Sequence, residues 1–283
     1  MADLSSGGEA TGRAADMHSE RLAGRTQQVF FESQADEHCL YPDAPEVDWD
    51  RSADFDAQDL AGPVINREIR RLAAEGHGTI TVRNPGAKHS LGVGILHRLE
   101  LRFEGSLGYF GCGLLDGPNV RISGRVGWSC AENMMAGTVV VEKNAGSTFG
   151  AALRGGDLVC RGDVGSRTGI DMKGGTIIVG GRTGIFSGFM MQRGRLIVLG
   201  DAGANLGDSM YDGIVYVGGE IASLGIDAVR ADLTELEVQW LTQKLGLYGL
   251  EAPNGVENLK KVVAGKQLWN YDNLEPSEKK IIL

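Results

Sequence analysis

The chain has 283 residues, 43 of them glycine, and its 37 acidic and 28 basic side chains give a net charge of −9. It shows no cationic stretch followed by an apolar run of roughly 7 to 15 residues, the mark of a secretory signal, and no apolar run long enough to span a bilayer. We therefore expect a cytoplasmic protein whose partners include neither nucleic acid nor a membrane.

The N-terminal segment 1–62 carries most of the negative charge. It contains 14 Asp and Glu side chains against 4 Arg and no Lys, so the rest of the chain is close to neutral. Low hydrophobicity with high net charge is typical of segments that do not fold alone, which predicts an extended or partly disordered acidic arm. Such an arm suits a basic partner surface, and a solvated tail that only promotes solubility is an equally good interpretation.

A short helix is predicted next, over residues 63–77. Ile65, Ile69 and Leu72 recur at helical spacing and share one face. The first turn of a stacked fold exposes unpaired backbone and apolar side chains. We therefore expect this helix to cap the segment that follows it.

Between residues 78 and 225, where 33 of the 43 glycines lie, a whole pattern recurs with a 19-residue period. The leading glycines are Gly137, Gly156, Gly175, Gly194 and Gly213. The alternating apolar pairs are Leu101/Phe103, Val120/Ile122, Val139/Val141, Leu158/Cys160, Ile177/Val179, Leu196/Val198 and Val215/Val217. Long apolar residues recur at Leu96, Leu115, Met134, Leu153, Met172, Met191 and Met210. A strict period of this kind predicts a coil repeated along an axis.

Each repeat is predicted to form one short strand followed by corners at which glycine permits a positive φ. The corner glycines are Gly105, Gly124, Gly162, Gly181, Gly200 and Gly219. Stacked repeats can bury their apolar pairs because equivalent strands pair in parallel about 4.8 Å apart. We predict an all-β fold: a right-handed parallel β-helix, a single-stranded solenoid of about seven 19-residue turns over residues 78–225, with short flanking helices.

Residues 226–283 are predicted to form a helical cap and a docking tail. The apolar stripe of the first helix, which Gly246 ends, comprises Leu233, Leu236, Trp240, Leu241 and Leu245. A further helix is predicted over residues 256–263. The tail after it contains Leu268, Trp269 and Tyr271, an apolar composition that suggests docking onto a neighbour.

The sequence offers little catalytic chemistry. The four cysteines are Cys39, Cys112, Cys130 and Cys160. None is in a C-x-x-C pair, so we expect free thiols and no zinc or iron–sulfur centre held by this chain alone. His77, His89 and His97 are close only in sequence and are interpreted as cap, surface or interface residues. No carboxylate pair is placed for general acid–base catalysis, and we assign no catalytic, cofactor-binding or metal-binding residue.

One repeat, residues 127–134, departs from the others in a way that predicts a subunit interface. Its small corner residues are replaced by an aromatic, a carboxylate and an amide side chain, and the preceding repeats add similar groups on the same side. Such a cluster suits a protein contact, while local corner packing is an equally good interpretation. The candidate interface residues are Asn84, Tyr109, Trp128, Glu132, Asn133 and, in the tail, Trp269.

Several segments together resemble a known family. They are the repeat G-x-x-G-x-x-x-G-x-x-M, the stretches AENMMAGTVVV, MKGGTIIVGG and DAGANLGDSMYDGIVYVGG, the upstream ITVRNPGAKHSLGVG, and LWNY at residues 268–271. This combination resembles the C-terminal GXGXG β-helix domain of the glutamate synthase large subunit, over about residues 62–271. It is most like the free-standing version of that domain in three-subunit assemblies such as N-methylglutamate synthase. The acidic arm has no place in this resemblance.

The resemblance implies a division of labour among subunits. A class II glutamine amidotransferase-like subunit and an FMN-binding glutamate synthase-like subunit carry the chemistry, with FMN and the family's iron–sulfur ligands on the synthase-like partner. This chain would be the non-catalytic structural subunit of a hetero-oligomer that converts methylamine and glutamate to N-methylglutamate and ammonia. In keeping with this, Ala2 stands where an N-terminal cysteine nucleophile would be needed.

Two alternatives share the predicted architecture. One is the β-helical C subunit of a formylmethanofuran dehydrogenase or formyltransferase–hydrolase complex, although the AENMM stretch and the Asn-Pro-Gly element favour the glutamate synthase side. The other is a stand-alone polysaccharide-active or sugar-binding β-helix, which would expose aromatic side chains along one strand face.

Overall fold

The computed structural model describes residues 46–265, which form one 11-stranded sheet, two helices and the segments that connect them. Its strands are β1 (Asp48–Asp56), β2 (His77–Arg83), β3 (Glu100–Glu104), β4 (Asp116–Ile122), β5 (Ala136–Val141), β6 (Asp157–Cys160), β7 (Lys173–Val179), β8 (Arg193–Val198), β9 (Ile214–Val217), β10 (Ala228–Ala231) and β11 (Lys260–Ala264). Two helices, α1 (Gly62–Ala74) and α2 (Glu235–Leu247), flank them. The arm before residue 46 and the tail after residue 265, with Trp269, lie outside the described residues.

The strands stack in chain order, and β1 to β9 pair in parallel. Equivalent residues of successive repeats are partners: Leu158 pairs with Ile177, which pairs with Leu196. Each segment between strands therefore returns the chain to the start of the next strand, one turn further along the axis. The predicted parallel β-helix with short flanking helices is confirmed, and the strands β3 to β9 are the seven predicted turns.

At its N-terminal end the sheet extends two strands beyond those turns. β2 pairs with β3, and β1, which lies within the segment predicted as an acidic arm, pairs with β2. Ala53 and Phe55 of β1 pack against the main core, while the acidic side chains of this strand stay in contact with solvent. Charge on an edge strand opposes pairing with the edges of other sheets.

Helix α1 closes the first turn of the coil. Its N-cap is Ala61, and a proline stands in its first turn, where a missing N–H is tolerated. Ile65 and Ile69 have no exposed surface and belong to the same apolar cluster as the side chains inside the coil. The helix thus shields the interior at the β2 end.

Long apolar side chains stack inside the coil, one from each turn. Met134, Met172 and their equivalents have no exposed surface. In the first turn this inward position is occupied by Ile95, which is 1 % exposed. The prediction that Leu96 occupies it is wrong. The Asp116 N–H donates to the Ile95 carbonyl, 21 positions before it, whereas the equivalent bond from the Arg154 N–H to the Met134 carbonyl spans 20 positions. Ile95 therefore precedes Leu115 by one residue more than the 19-residue period.

The corner glycines are required by close approach of successive turns. A Cβ at Gly124 would lie 2.5 Å from the Gly105 carbonyl carbon, and one at Gly200 would lie 2.8 Å from that of Gly181. The positive φ predicted for these corners is found in this series only at Gly105, among the described residues. It occurs instead at the leading glycines, such as Gly137 with φ 96°.

The return segment of each turn contains residues with positive φ at alternate positions. Thr148 (φ 57°), Gly150 (φ 69°) and Ala152 (φ 52°) are one such set. The Thr148 N–H donates to the Ser166 carbonyl of the next turn, and the Gly150 N–H donates to the Cys130 carbonyl of the previous one. These bonds on both sides offset a strain of about 1–3 kcal/mol for a left-handed non-glycine residue.

Helix α2 covers the outward side of the C-terminal strands. It begins at a capping box formed by Thr234 and Glu237. Its buried apolar residues pack with outward-facing strand residues in a second apolar cluster. The core of this cluster comprises Val159, Ile178, Ile197, Tyr216, Trp240, Leu241 and Leu245. From β6 to β9 the sheet is therefore buried on both faces.

The outward strand position explains where this cover begins. The residue between the two inward-facing ones is exposed Arg102 in β3 and exposed Arg121 in β4. In β5 this outward residue is Val140, which is half-buried. From β6 to β9 it is fully buried: an apolar residue in β6, β7 and β8, and Tyr216 in β9. A strand that is apolar on both faces needs a layer on each side, and α2 supplies the outer layer.

Two C-terminal predictions are wrong. Gly246 lies inside α2, which ends at Leu247, and Gly249 (φ 59°) takes the left-handed position beyond it. The helix predicted over residues 256–263 is a short 3-10 turn, Val256–Asn258, followed by strand β11. β11 pairs antiparallel with β9 and with β10, and thereby continues the sheet past the last turn of the coil.

A buried polar network fixes α2 to the strands β6, β9 and β11. Lys244 Nζ lies 2.6 Å from Asp157 Oδ2, and Lys261 Nζ lies 2.7 Å from Glu237 Oε2. The Tyr216 hydroxyl donates to Glu237 Oε1 at 2.8 Å. Burial raises the pKa of Tyr216 well above its usual value, so the hydroxyl remains a donor. Each of these charges has a partner, and removal of one would leave another charge buried alone.

Arg195 adds a cation to the same interface. Its guanidinium carbon lies 4.8 Å from the centroid of the Trp240 ring. Burial lowers its pKa to about 10, which still leaves it charged at neutral pH. This contact joins β8 to α2 by a cation–π interaction.

We predict that a charge placed inside the coil prevents stable folding. Ile177 is fully buried, so Ile177→Asp should lower the free energy of unfolding by about 3 kcal/mol or more. Urea unfolding followed by circular dichroism measures this. Leu114→Asp, at a position that is 51 % exposed, is the control and should unfold close to the wild type. Equal stability of the two variants would contradict the inward orientation of Ile177.

Adjacent lysines of β11 provide a second prediction. The Lys261 and Glu237 side chains are 2 % and 0 % exposed, whereas Lys260 pairs with Glu220, which is 86 % exposed. Lys261→Met should therefore cost about 3–5 kcal/mol, because it leaves Glu237 charged and buried. Lys260→Met should change the free energy of unfolding by about 1 kcal/mol or less. Thermal and urea unfolding of the two variants measure both changes. A larger loss of stability in Lys260→Met than in Lys261→Met would contradict the buried network.

Candidate protein-binding surface

Three ring side chains stack on the outside of the first turns and form what we call the aromatic column: His89, Tyr109 and Trp128. The His89 and Tyr109 ring centroids are 4.7 Å apart with an interplanar angle of 16°. Those of Tyr109 and Trp128 are 5.2 Å apart at 23°. Tyr109 is 43 % exposed and Trp128 58 %. The column therefore presents rigid apolar area to solvent.

A glycine of the following turn lies next to each ring. A Cβ at Gly108 would lie 2.3 Å from His89 Nδ1. One at Gly127 would lie 2.5 Å from Tyr109 Cδ1, and one at Gly146 would lie 2.6 Å from Trp128 Cδ1. Because these three glycines have no side chain, each ring can pack directly on the backbone of the following turn. The column is a direct product of the repeat.

The orientation of His89 is fixed by a backbone hydrogen bond. The Tyr109 N–H donates to His89 Nδ1 at 2.9 Å. Nδ1 is therefore the acceptor, and in the neutral ring the proton is on Nε2. The exposed edge of this ring offers a hydrogen-bond donor at the end of the column.

The structure brings together only part of the predicted interface. Tyr109 and Trp128 are in direct contact, and the half-buried Glu132 and Asn133 follow in the return segment of the same turn as Trp128. Asn84 belongs to another contact, because its side-chain amide donates to Asp56 Oδ2 of strand β1. Trp269 lies outside the described residues.

Sequence reasoning did not place His89 in the column. His89 precedes Tyr109 by one position more than the 19-residue period, because the segment from Ile95 to Leu101 is one residue longer than its equivalent in the next turn. A search at that period therefore misses His89. The other two histidines considered in the sequence, His77 and His97, are not part of the column. His77 Nδ1 is 3.0 Å from the Leu72 carbonyl oxygen. His97 is half-buried, and burial lowers its pKa. Two further apolar side chains, Phe110 and Leu114, are 52 % and 51 % exposed in the turn that carries Tyr109.

The described cysteines are poor candidates for chemistry. Cys112, Cys130 and Cys160 are all free and fully buried. A hydrogen bond with Cys112, together with burial, raises the pKa of the Cys130 thiol well above its usual value, and burial raises the pKa of Cys160 to about 12. Thiols with raised pKa are weak nucleophiles at neutral pH. Over residues 46–265, no group of three or more His, Cys, Asp or Glu side chains is placed to hold a metal ion.

A groove of about 340 Å³ lies where the end of α2 meets the uncovered outer face of the sheet. Glu100 and Arg121 are among its lining residues. Both charges are already paired, Glu100 with Arg102 at 2.9 Å and Arg121 with Glu142 at 2.7 Å. The groove is thus lined by satisfied surface ion pairs. The aromatic column is the stronger candidate for recognition.

Comparison with known families gives a match over most of the described chain. The family model described as "GXGXG motif" matches residues 78–244, which include all strands from β3 to β9 and most of α2. A comparison with curated proteins finds no match. Neither α1 nor α2, the helices of the described region, is long and apolar enough to cross a membrane.

We predict that the glycine beside Tyr109 cannot carry a side chain. Gly127→Ala would place its Cβ 2.5 Å from the Tyr109 ring and 2.7 Å from the Gly108 carbonyl carbon, and should cost about 1–3 kcal/mol of stability by overpacking. The control is Gly246→Ala inside α2, where a Cβ meets nothing within 4 Å and should add about 0.5–1 kcal/mol. Urea unfolding should therefore give shifts of opposite sign, and a neutral Gly127→Ala variant would contradict the close stacking.

Proposed function

This chain belongs to the GXGXG motif family, and on that premise we propose that it is a non-catalytic structural subunit of a glutamate synthase-type flavoenzyme complex in the cytoplasm. Within that class we propose N-methylglutamate synthase, which makes N-methylglutamate and ammonia from methylamine and glutamate. Its partners would be a class II glutamine amidotransferase-like subunit and an FMN-binding glutamate synthase-like subunit. FMN and any iron–sulfur cluster would be held by the latter.

The observation that carries this proposal is the match of the family model to the whole coil, together with what the coil can do mechanically. Strands β1 to β9 are joined by backbone hydrogen bonds at each step. Eight steps of about 4.8 Å give a sheet roughly 38 Å long. A body bonded along its full length can hold two partner active sites at a fixed separation and orientation, which favours transfer of an intermediate between them.

The aromatic column supports a role in assembly. Exposed aromatic side chains held rigidly, with polar groups beside them, are typical of the residues that dominate binding energy at protein interfaces. Tyr109 and Trp128 have this character, with Glu132 and Asn133 next in the chain. On the same half of the coil the outer face of the sheet is not covered by α2. We propose that this half faces a catalytic partner.

Co-purification tests the proposal directly. The tagged chain, expressed in its native host, should bring down a subunit that contains FMN, detected by its absorbance spectrum, and an amidotransferase-like subunit, identified by mass spectrometry. Recovery of a metal-dependent hydrolase-like partner without flavin would instead support a formylmethanofuran dehydrogenase-type complex. A flavin-free chain recovered with no partner would overturn both assignments.

We predict that the aromatic column contributes to assembly and not to folding. Trp128→Ala removes a side chain that is 58 % exposed, so the melting temperature should stay close to that of the wild type. Affinity for the partner subunit should fall by about tenfold or more, equivalent to at least about 1.4 kcal/mol. Glu132→Ala should weaken binding to a smaller extent.

Val229→Ala is the control for Trp128→Ala. Val229 is 42 % exposed and lies on β10, at the other end of the sheet from the column, so its truncation should leave affinity unchanged. Titration of each variant against the partner, with activity of the reconstituted complex as a second measurement, decides between the outcomes. Unchanged affinity of Trp128→Ala would remove the column from the interface.

A further inference from the structure

A second apolar surface lies at the other end of the coil, and we call it the terminal patch: Ile185, Phe186, Phe189, Met190 and Ile226. The Phe186 and Phe189 rings meet edge to face, with centroids 5.8 Å apart and an interplanar angle of 79°. Ile185 is 47 % exposed, Ile226 is 68 % exposed, and the other three side chains are half-buried. These are large apolar groups on a surface that the described residues leave in contact with solvent.

The terminal patch is separate from the aromatic column. Ile185 occupies the same position in its turn as Tyr109 and Trp128 do in theirs, but the two turns between them carry Ser147 and Ser166 there. Small polar residues therefore interrupt the apolar surface over two turns, or about 10 Å. A partner bound to the aromatic column alone would not cover the terminal patch.

The described chain leaves the coil beside this patch. The Gly265 N–H donates to the Asp227 carbonyl at 2.6 Å, and the neighbouring Ile226 carbonyl accepts from the Ser209 N–H. Ser209 stands one turn beyond Met190, whose own N–H donates to the Asp208 carbonyl. Gly265 thus lies about two turns from Met190, roughly 10 Å along the axis.

The sequence after Gly265 has the length and composition to reach the patch. Leu268 and Trp269 are the third and fourth residues beyond Gly265, and an extended chain covers roughly 10–14 Å in that number of residues. Tyr271 follows, and then the acidic Asp272. Apolar side chains can therefore arrive where the patch begins.

The charge beyond the patch complements this segment. Arg167 is exposed one turn before Phe186, with its guanidinium carbon 5.9 Å from the centroid of that ring. A segment running from Gly265 over the patch would bring Asp272, seven residues on and within roughly 25 Å of extended chain, into the neighbourhood of this cation. Apolar contact followed by an ion pair fixes both the position and the direction of the segment.

We infer that residues 268–271 dock on the terminal patch of their own chain, with Leu268 and Trp269 against Phe186, Phe189 and Met190. This assigns Trp269 to an intramolecular contact, whereas the sequence suggested docking onto a neighbour. The inference does not depend on the proposed function. It concerns the apolar surface of the segment between β7 and β8.

Oxidation of methionine by hydrogen peroxide, read by mass spectrometry, tests the docking in the full chain. Met190 and Met135 are both half-buried in the described part of the chain, but only Met190 belongs to the patch. In the double variant Leu268→Asp/Trp269→Asp, Met190 should be oxidised several-fold faster than in the wild type, while the rate at Met135 stays the same. The control variant Asn273→Asp/Ser277→Asp adds the same charge to the tail and should leave both rates unchanged.

Dilution identifies the occupant of the patch. Intramolecular docking predicts the same slow oxidation of Met190 at every protein concentration, in a chain that elutes as a monomer. Protection that is lost on dilution would overturn the inference in favour of a second copy of the chain. Equal Met190 rates in the wild type and in Leu268→Asp/Trp269→Asp would overturn it in favour of a separate partner or an uncovered patch.

Discussion

The close approach of successive turns is the constraint on which the rest of this structure depends. Backbone hydrogen bonds run between equivalent residues of neighbouring turns, and at the corners the chains are so close that a Cβ at Gly124 or Gly200 would overlap the backbone of the turn before. Glycine at those positions lets the turns stack, and stacking brings the apolar pairs and the methionine positions together inside. The 19-residue period of the sequence follows from this requirement that successive turns stack closely.

The outside of the coil divides the molecule into two halves. Where the outward strand residue is Arg102 or Arg121, the face of the sheet is charged and open, and the aromatic column stands on the same half. Where that residue is Val159 or Ile178, the face is covered by α2 through a buried polar network. One half thus offers surface to partners, and the other uses its outer face for its own stability. The structural role that we propose requires both, because the rigidity of the coil would have to survive the binding of partner subunits.

Much of the fold could be predicted from the sequence, because the repeat states the same requirement seven times. The strands, their parallel register and the inward pairs, such as Leu158 and Cys160, follow from period and alternation. Features that occur only once in the chain were missed. One is the extra residue after Ile95, which places Ile95 rather than Leu96 inside the coil and stacks His89 on Tyr109. Another is strand β11, in a segment predicted as a helix. β11 is a strand because the edge of β9 needs a partner, and that edge exists only in the folded molecule.

The sequence by itself determined the coil, its interior and the family of the chain, because these depend on spacing that each repeat carries within itself. The tertiary structure alone decided which glycines serve close approach and which adopt a positive φ, which predicted interface residues meet, and where α2 packs. Tyr109 and Trp128 are joined by stacking. Asn84 instead donates to Asp56, on strand β1, which lies outside the repeats and was not predicted. The physical reason is that such contacts join segments far apart in the chain. Their geometry is fixed by packing and not by any local pattern.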